Sequence, residues 1–215
     1  PTPYHTKNSY FGQIDTAGFE KDSFYQYKQL WNEKADPFVH LLPYWDFNEG
    51  QLIDVRTYSN GAFVELFVNG VSLGKKENDI NKGDSLCCMW EGVPYKAGKI
   101  EALAYDKDGK ILAREEKHSF GDSEKIILTR EEFSEDGLHF IDVSTVDAEG
   151  YDVADSRSRI FVTVKGDAVL CGLDNGDSTD PDQYQSKDGV SLSKRLFANR
   201  MLIMVRETKP SASFE

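Results

Sequence analysis

Cysteine is scarce in this sequence, with three residues among 215. Cys87 and Cys88 are adjacent, and on a strand their side chains would point to opposite faces. Cys171 stands apart from them. An odd count without C-x-x-C spacing argues against a disulfide framework or a zinc site. The pattern therefore predicts buried free thiols.

Basic residues are also few relative to acidic residues. Lys and Arg total 25 against 37 Asp and Glu, so the formal net charge is −12. Such a surface repels the phosphate backbone of nucleic acids and the headgroups of anionic membranes. The short basic runs Lys75-Lys76 and Lys194-Arg195 are interpreted as solvated strand ends. We predict neither a nucleic-acid partner nor a membrane partner.

Long apolar runs and targeting signals are absent. No stretch approaches the roughly 18 apolar residues that a membrane span needs, and no basic n-region precedes an apolar h-region. The chain opens at Pro1 without an initiator Met, so we expect it to continue a longer polypeptide. The compartment stays open between cytoplasmic and exported.

The common catalytic motifs are missing as well. The sequence has no G-x-S-x-G, Walker loop, G-x-G-x-x-G or H-E-x-x-H. Its histidines are His5, His40, His118 and His139, and no two stand at metal-ligand spacing. His40 follows the apolar Val39, which favours a partly buried, hydrogen-bonded imidazole over a base or ligand. We predict no catalytic, cofactor-binding or metal-binding residue, and no cofactor.

An acid-rich stretch, DNGDSTDPDQ, is the best candidate for a metal site. It supplies hard oxygen ligands of the kind that calcium prefers: Asp174, Asn175, Asp177, Asp180 and Asp182. The spacing does not match an EF-hand, and no Glu stands at the closing position. Asx turns explain the same residues, because Asp and Asn side chains bond the backbone two residues on. We favour Asx turns and keep calcium as the open alternative.

One helix is predicted, over residues 22–33. Asp22 or Ser23 can cap its start. An apolar stripe then recurs at i, i+3 and i+7, through Phe24, Tyr27 and Trp31. Asp36-Pro37 ends the pattern, because the residue before a proline is pushed out of helical dihedral angles.

A strand pattern of period two follows the helix. In VELFVNGVSLG, Val64, Leu66 and Val68 form one face, and Asn69-Gly70 can supply the positive φ angles of a type I′ turn. About seven short strands fit into residues 37–120, which is the number and spacing of an immunoglobulin-like sandwich.

A second strand series follows the linker Gly121-Asp122-Ser123. Its segments are KIILT, LHFIDVSTVD, SRIFVTVKG, AVLCGLD and RMLIMVRE, separated by turns that contain glycine. We predict a second sandwich that lacks its last strand, because only residues 208–215 remain after RMLIMVRE.

An aromatic cluster allows two interpretations. Its members are Tyr44, Trp45, Phe47, Trp90 and Tyr95. Sugars stack on exposed aromatic rings, but alternation puts Tyr44 and Trp45 on opposite faces, so only part of the set can form one platform. We favour core or inter-domain packing over ligand stacking.

Several segments together resemble one enzyme family. PTPYHTKNSYFGQIDTAGFEKDSFYQYKQLW resembles the run that follows the eighth barrel strand in glycoside hydrolase family 2 β-galactosidases of the long bacterial type. VHLLPYWDFNEGQLIDVRTYSN and VELFVNGVSLGKK are similar to the first sandwich after that barrel. CGLDNGDSTDPDQY, followed by SKRLFANRMLIMV, is similar to the next domain. The resemblance covers essentially the whole chain.

The resemblance implies a mainly β chain in three parts. Residues 1–35 would be a remnant of a (β/α)8 barrel, namely its eighth loop and helix. Residues 36–121 and 122–215 would be two tandem immunoglobulin-like sandwiches. In this family two glutamates on barrel strands four and seven, about 5–5.5 Å apart, perform a retaining hydrolysis. Both strands would precede residue 1, so we expect these accessory domains to be inactive alone.

The resemblance also implies a partner, the missing catalytic barrel of the same polypeptide. The aromatic stripe of the helix would pack on it, and Tyr4 and His5 would lie near its C-terminal face. Carbohydrate and a second copy of the chain stay open as further partners. The alternative function is a carbohydrate-binding module that uses exposed Trp and Tyr side chains, with Trp45 and Trp90 as the residues to test. An adhesion array is a third hypothesis, which the helix over residues 22–33 disfavours.

Overall fold

The computed structural model describes residues 11–31, 35–79, 86–135 and 137–209, with the backbone alone for residues 132–135. The chain is mainly β with one short helix, and it divides into two compact units. The first unit is Glu20–Phe120. The second unit combines the segment that ends at Phe19 with Gly121–Glu215.

The helix, α1, runs over Asp22–Trp31 and begins where it was predicted. Its acidic first residue suits the positive end of the helix dipole. The buried residue of α1 is Gln29, whose side-chain oxygen accepts a hydrogen bond from the Ser59 amide at 2.9 Å. Trp31, in the predicted apolar stripe, is 76% exposed. The stripe is therefore not the face that α1 buries in the first unit.

Two antiparallel sheets form the rest of the first unit. Its strands are β1 (Val39–Leu42), β2 (Leu52–Ser59), β3 (Phe63–Val68), β4 (Val71–Glu77), β5 (Cys88–Pro94), β6 (Lys99–Tyr105) and β7 (Ile111–His118). One sheet has the order β1-β2-β5 and the other β4-β3-β6-β7. Buried side chains of both sheets share a single hydrophobic core, as in a β-sandwich.

The β3–β4 hairpin forms as its sequence predicts. Val64, Leu66 and Val68 are buried, which is the alternation of a strand with one face on a core. Asn69 and Gly70 have φ angles of 49° and 80°. These positive values are those that a two-residue hairpin turn requires.

The second unit also has two antiparallel sheets. Its strands are β8 (Lys125–Glu135), β9 (Leu138–Val146), β10 (Arg159–Thr163), β11 (Ala168–Asp174), β12 (Ser191–Arg195) and β13 (Met201–Glu207). Four strands pair in the order β11-β13-β9-β8, and β10 pairs with β12. Val143, Leu170, Leu173 and Met201 belong to a second core, which is separate from the first.

The N-terminal segment belongs to the second unit by its contacts. The Thr16 hydroxyl donates a hydrogen bond to Asp174 Oδ1 at 3.1 Å, and the Arg200 guanidinium lies 3.8 Å from the centre of the Phe19 ring. The predicted boundaries at 35/36 and 121/122 stay predictions. Tyr4, His5 and residues 210–215 lie outside the described residues.

The three cysteines are free, as predicted, but only Cys88 is buried. Burial, together with the neighbouring Cys87, raises the pKa of the Cys88 thiol to about 11. Cys87 and Cys171 are partly exposed, so the expectation of burial was wrong for both. Within the described ranges, no helix has the length and apolar character needed to cross a membrane.

Candidate functional site

The acid-rich loop after β11 is built from successive Asx turns. The carboxyl of Asp174 accepts from the Gly176 amide, Asn175 from the Asp177 amide, Asp177 from the Thr179 amide and Asp180 from the Asp182 amide, at 2.8–3.1 Å. Each side chain thus caps the backbone two residues on. The interpretation of these residues as Asx turns is confirmed.

A buried ammonium group contacts this loop. Lys194 on β12 is fully buried, and its Nζ lies 3.1 Å from Asp180 Oδ2 and 4.2 Å from the centre of the Tyr184 ring. The Asp182 carbonyl accepts a longer hydrogen bond from the same nitrogen at 3.4 Å. The expectation that Lys194 solvates a strand end was wrong. Leu192, Lys194 and Leu196 alternate along β12 and the residue after it. Lys194 therefore occupies an inward position of this alternation.

The charge of Asp180 is balanced inside the protein. Burial opposes ionisation of this carboxyl, but the Asp182 amide, Lys194 and Asn175 outweigh burial and lower its pKa. Asn175 Nδ2 donates to Asp180 Oδ2 at 2.8 Å. The ammonium of Lys194 thereby supplies the positive charge that a calcium ion would bring to this carboxyl. No group of three or more His, Cys, Asp and Glu side chains is placed to hold a metal ion in the part of the chain that the structure describes.

The N-terminal segment packs directly against this loop. Gly176 has a φ of 74°, and a Cβ there would lie 2.0 Å from Asp15 Oδ2. Only glycine allows this close approach at a positive φ. Asp15 also caps its own turn by accepting from the amides of Ala17 and Phe19 at 2.9 Å. No local pattern in the sequence indicates that this segment meets the loop, because the two lie more than 150 positions apart in the chain.

His40 is a hydrogen-bonded, largely buried imidazole, as predicted. Its Nε2 lies 2.8 Å from Asp22 Oδ1, its Nδ1 lies 3.5 Å from Glu115 Oε2, and its ring stacks on Tyr25 at 3.8 Å. Burial opposes protonation, but the bonds to Asp22 and Glu115 outweigh it and raise the pKa of His40 despite the opposing charge of Lys117. The bond from His40 lowers the pKa of Asp22. These residues attach α1 to the first sandwich.

A bell-shaped pH dependence of the first unit's stability should follow from this pair. The raised pKa of His40 gives a contribution that is complete below the unfolded value of 6.5 and is lost as pH rises through the folded value. The lowered pKa of Asp22 gives a contribution that is complete above 3.8 and is lost as pH falls through its folded value. We expect His40→Gln to reduce the loss of stability at both high and low pH. Urea unfolding followed by tryptophan fluorescence measures this stability at each pH. His118→Gln, a control on β7, should leave both losses in place.

His139 occupies a buried position between two charged partners. Arg130 lies 2.6 Å from its Nδ1, and Glu207 Oε1 lies 2.6 Å from its Nε2. These bonds join three neighbouring strands, β8, β9 and β13. Both ring nitrogens therefore have protein partners, and their bonds connect side chains of adjacent strands.

The aromatic cluster is mostly core. Trp45 is fully buried, with its Nε1 donating to the Lys96 carbonyl at 3.1 Å, and Trp90 and Tyr95 are also buried. Buried rings cannot stack on a sugar, so the expectation that Trp45 and Trp90 are exposed rings of a binding module was wrong. Tyr44, which follows β1, is 40% exposed and stacks on Phe47 at 5.2 Å.

Two family models match the chain. Residues 50–113 match a domain of unknown function, DUF4982. Residues 127–214 match the glycoside hydrolase family 2 C-terminal domain 5. The first match lies inside the first unit, and the second covers most of the second unit.

Relatives with known names align over most of the chain. It is 34% identical to beta-galactosidase BoGH2A of Bacteroides ovatus over 213 residues, which are 96% of this chain and 24% of the relative. A putative beta-glucuronidase of Formosa agariphila is 32% identical over 185 residues, 82% of this chain and 17% of the relative.

A solved structure of a relative has the same fold over most of this chain. A beta-glycosidase from Bacteroides vulgatus aligns with a TM-score of 0.80 and 31% identity, over 95% of this chain and 26% of that one. The chain thus spans about a quarter or less of the length of these relatives. The chain belongs to glycoside hydrolase family 2, as a C-terminal region of such an enzyme.

Proposed function

We propose that this chain provides the non-catalytic C-terminal domains of a retaining β-galactosidase. The observation that carries the proposal is the alignment with beta-galactosidase BoGH2A over 96% of the chain. In this proposal each unit contains one immunoglobulin-like sandwich, and residues 1–35 are the last loop and helix of the catalytic barrel. Their role is to support that barrel.

The state of the acidic side chains supports a non-catalytic role. Retaining hydrolysis needs one carboxylate free to attack and a second free to exchange a proton, about 5–5.5 Å apart. Glu101 and Glu116, neighbours on β6 and β7, share the cations Lys99 and Arg114. Asp180 is likewise neutralised by Lys194. These three carboxylates are therefore paired with cations rather than free to attack or to exchange a proton.

The exposed face of α1 supports a barrel as the partner. Tyr27 and Trp31 contact each other with ring centres 4.5 Å apart, while Trp31 is mostly exposed. Large aromatic side chains on a surface mark contacts with another protein surface. In the proposed enzyme this face packs on the strands of the catalytic barrel, and the opposite side of α1 attaches to the first sandwich through Gln29 and Asp22.

Hydrolysis of nitrophenyl glycosides tests the proposal at two levels. We expect no turnover of the β-galactoside or the β-glucuronide by residues 1–215 alone, and turnover of the β-galactoside by the full polypeptide. Activity of the isolated chain that survives repurification would contradict a non-catalytic role. A full polypeptide that cleaves only the β-glucuronide would retain the supporting role and overturn the galactosidase assignment.

A further inference from the structure

The strand β8 has an uncovered core-side face. β8 is an edge strand of the sheet β11-β13-β9-β8. In its register with β9, Ile126 lies opposite Thr145 and Leu128 lies opposite Val143, and both of these partners are buried. Residues directly opposite in an antiparallel pair point to the same face. Ile126 and Leu128 therefore face the core side, yet they are 53% and 62% exposed.

The free edge of β8 is long and regular. Side chains from Lys125 to Glu131 are all exposed, and the pairing with β9 is regular from Lys125 to Arg130. An edge strand offers unpaired backbone groups to any strand that can align with it. Natural edges are usually protected by an inward charge, a proline or a bulge. Arg130 lies opposite Ile141 on the core side of β8, but its guanidinium is held by His139 of the same chain. The only irregularity in the described pairing of β8 comes after Arg130.

The charges along β8 are self-complementary. A second copy related by a two-fold axis through Leu128 would pair antiparallel with β8. Opposite residues would then be Lys125 with Glu131, Ile126 with Arg130, Ile127 with Thr129, and Leu128 with its own copy. Two opposite-charge pairs would flank an apolar centre, and each Ile126 would meet the partner copy's Leu128 on the diagonal.

The side chains that this pairing needs are available. Within the described part of the chain, neither Lys125 nor Glu131 forms a salt bridge. The guanidinium of Arg130 is already bonded to His139 of its own chain, so only its stem would cover Ile126. A register shifted by two residues would instead place Lys125 opposite the uncharged Thr129.

We propose that two copies of this chain associate through β8, which joins their four-stranded sheets into one continuous sheet. Strand addition of this kind satisfies the backbone groups of both edges, while the pairs at Lys125 and Glu131 fix the register. The contact is isologous, as expected of a two-fold dimer. It also places Ile126 and Leu128 of the two copies beside one another on the core-side face, which reduces the exposed apolar area of each.

Charge-swap variants test the proposal in sedimentation equilibrium with the whole chain. Lys125→Glu and Glu131→Lys each turn two attractive pairs into repulsive ones and should lower the association constant about tenfold. The double swap restores both pairs and should recover association. Lys107→Glu, on an exposed turn of the first unit, is the control with the same charge change as Lys125→Glu and should dimerise like the unmodified chain.

Three results would overturn the proposal. They are a monomer at every concentration, a dimer that neither single swap weakens, and a double swap that fails to restore association. Hydrogen exchange gives an independent measurement, because amides of β8 should gain protection with concentration while those of the other edge strand, β11, should not. Leu128→Lys places two like charges on the axis and should abolish the dimer, with circular dichroism confirming the fold.

Discussion

Replacing Lys194 by methionine is expected to destabilise the second unit by about 3–5 kcal/mol, the usual cost of removing one partner of a buried ion pair. The substitution leaves the Asp180 carboxylate without the ammonium 3.1 Å away and removes the cation from the Tyr184 ring. All three tryptophans, Trp31, Trp45 and Trp90, lie in the first unit, so tryptophan fluorescence does not report this loss. Urea unfolding followed by far-ultraviolet circular dichroism, or hydrogen exchange of β11–β13, measures it.

Two further variants separate the effect of the Lys194 charge on stability from the effect of its side-chain packing. Lys187→Met removes an exposed lysine from the same unit and should change the free energy of unfolding by no more than about 0.5 kcal/mol. Asp180→Asn combined with Lys194→Met removes both charges and should cost less than Lys194→Met alone, because no unpaired ion remains. A double variant as unstable as the single one would mean that packing of the lysine stem, rather than its charge, stabilises the loop.

Local patterns in the sequence predict much of this fold. Alternation identified the core face of β3, and Asn69-Gly70 identified its turn, because both depend on neighbours in the chain. The Asx turns between Asp174 and Asp182 follow from the same kind of short-range chemistry. The family was recognisable because several such motifs occur in a fixed order.

The sequence did not reveal which side chains meet when they are far apart along the chain. A lysine beside an arginine suggests solvent exposure, and only the fold shows that Asp180 meets Lys194 in the interior. The position of Lys194 between Leu192 and Leu196 was the available signal, since it continues an inward alternation. The apolar stripe on α1 shows the same limit of local patterns. Periodicity shows which residues share a face, but it does not show which surface that face contacts.

Replacing Trp45 by alanine is expected to destabilise the first unit by about 3–5 kcal/mol, as for other buried tryptophans. The ring is fully buried against Phe47 and Tyr95, with centres 6.3 and 5.2 Å away. Its loss leaves a cavity and frees the Lys96 carbonyl that accepts from Nε1. The change should appear as a lower urea midpoint with an unchanged slope, followed through the fluorescence of Trp90.

Tyr44→Ala is the matched control, because it removes the neighbouring aromatic ring from a partly exposed site. It should cost about 1 kcal/mol or less, since solvent already reaches that ring. Trp45→Phe should fall between the two, because it keeps an aromatic ring in the core but gives up the hydrogen bond to Lys96. Equal losses for Tyr44→Ala and Trp45→Ala would contradict a core role for Trp45 and would reopen the question of what this aromatic cluster binds.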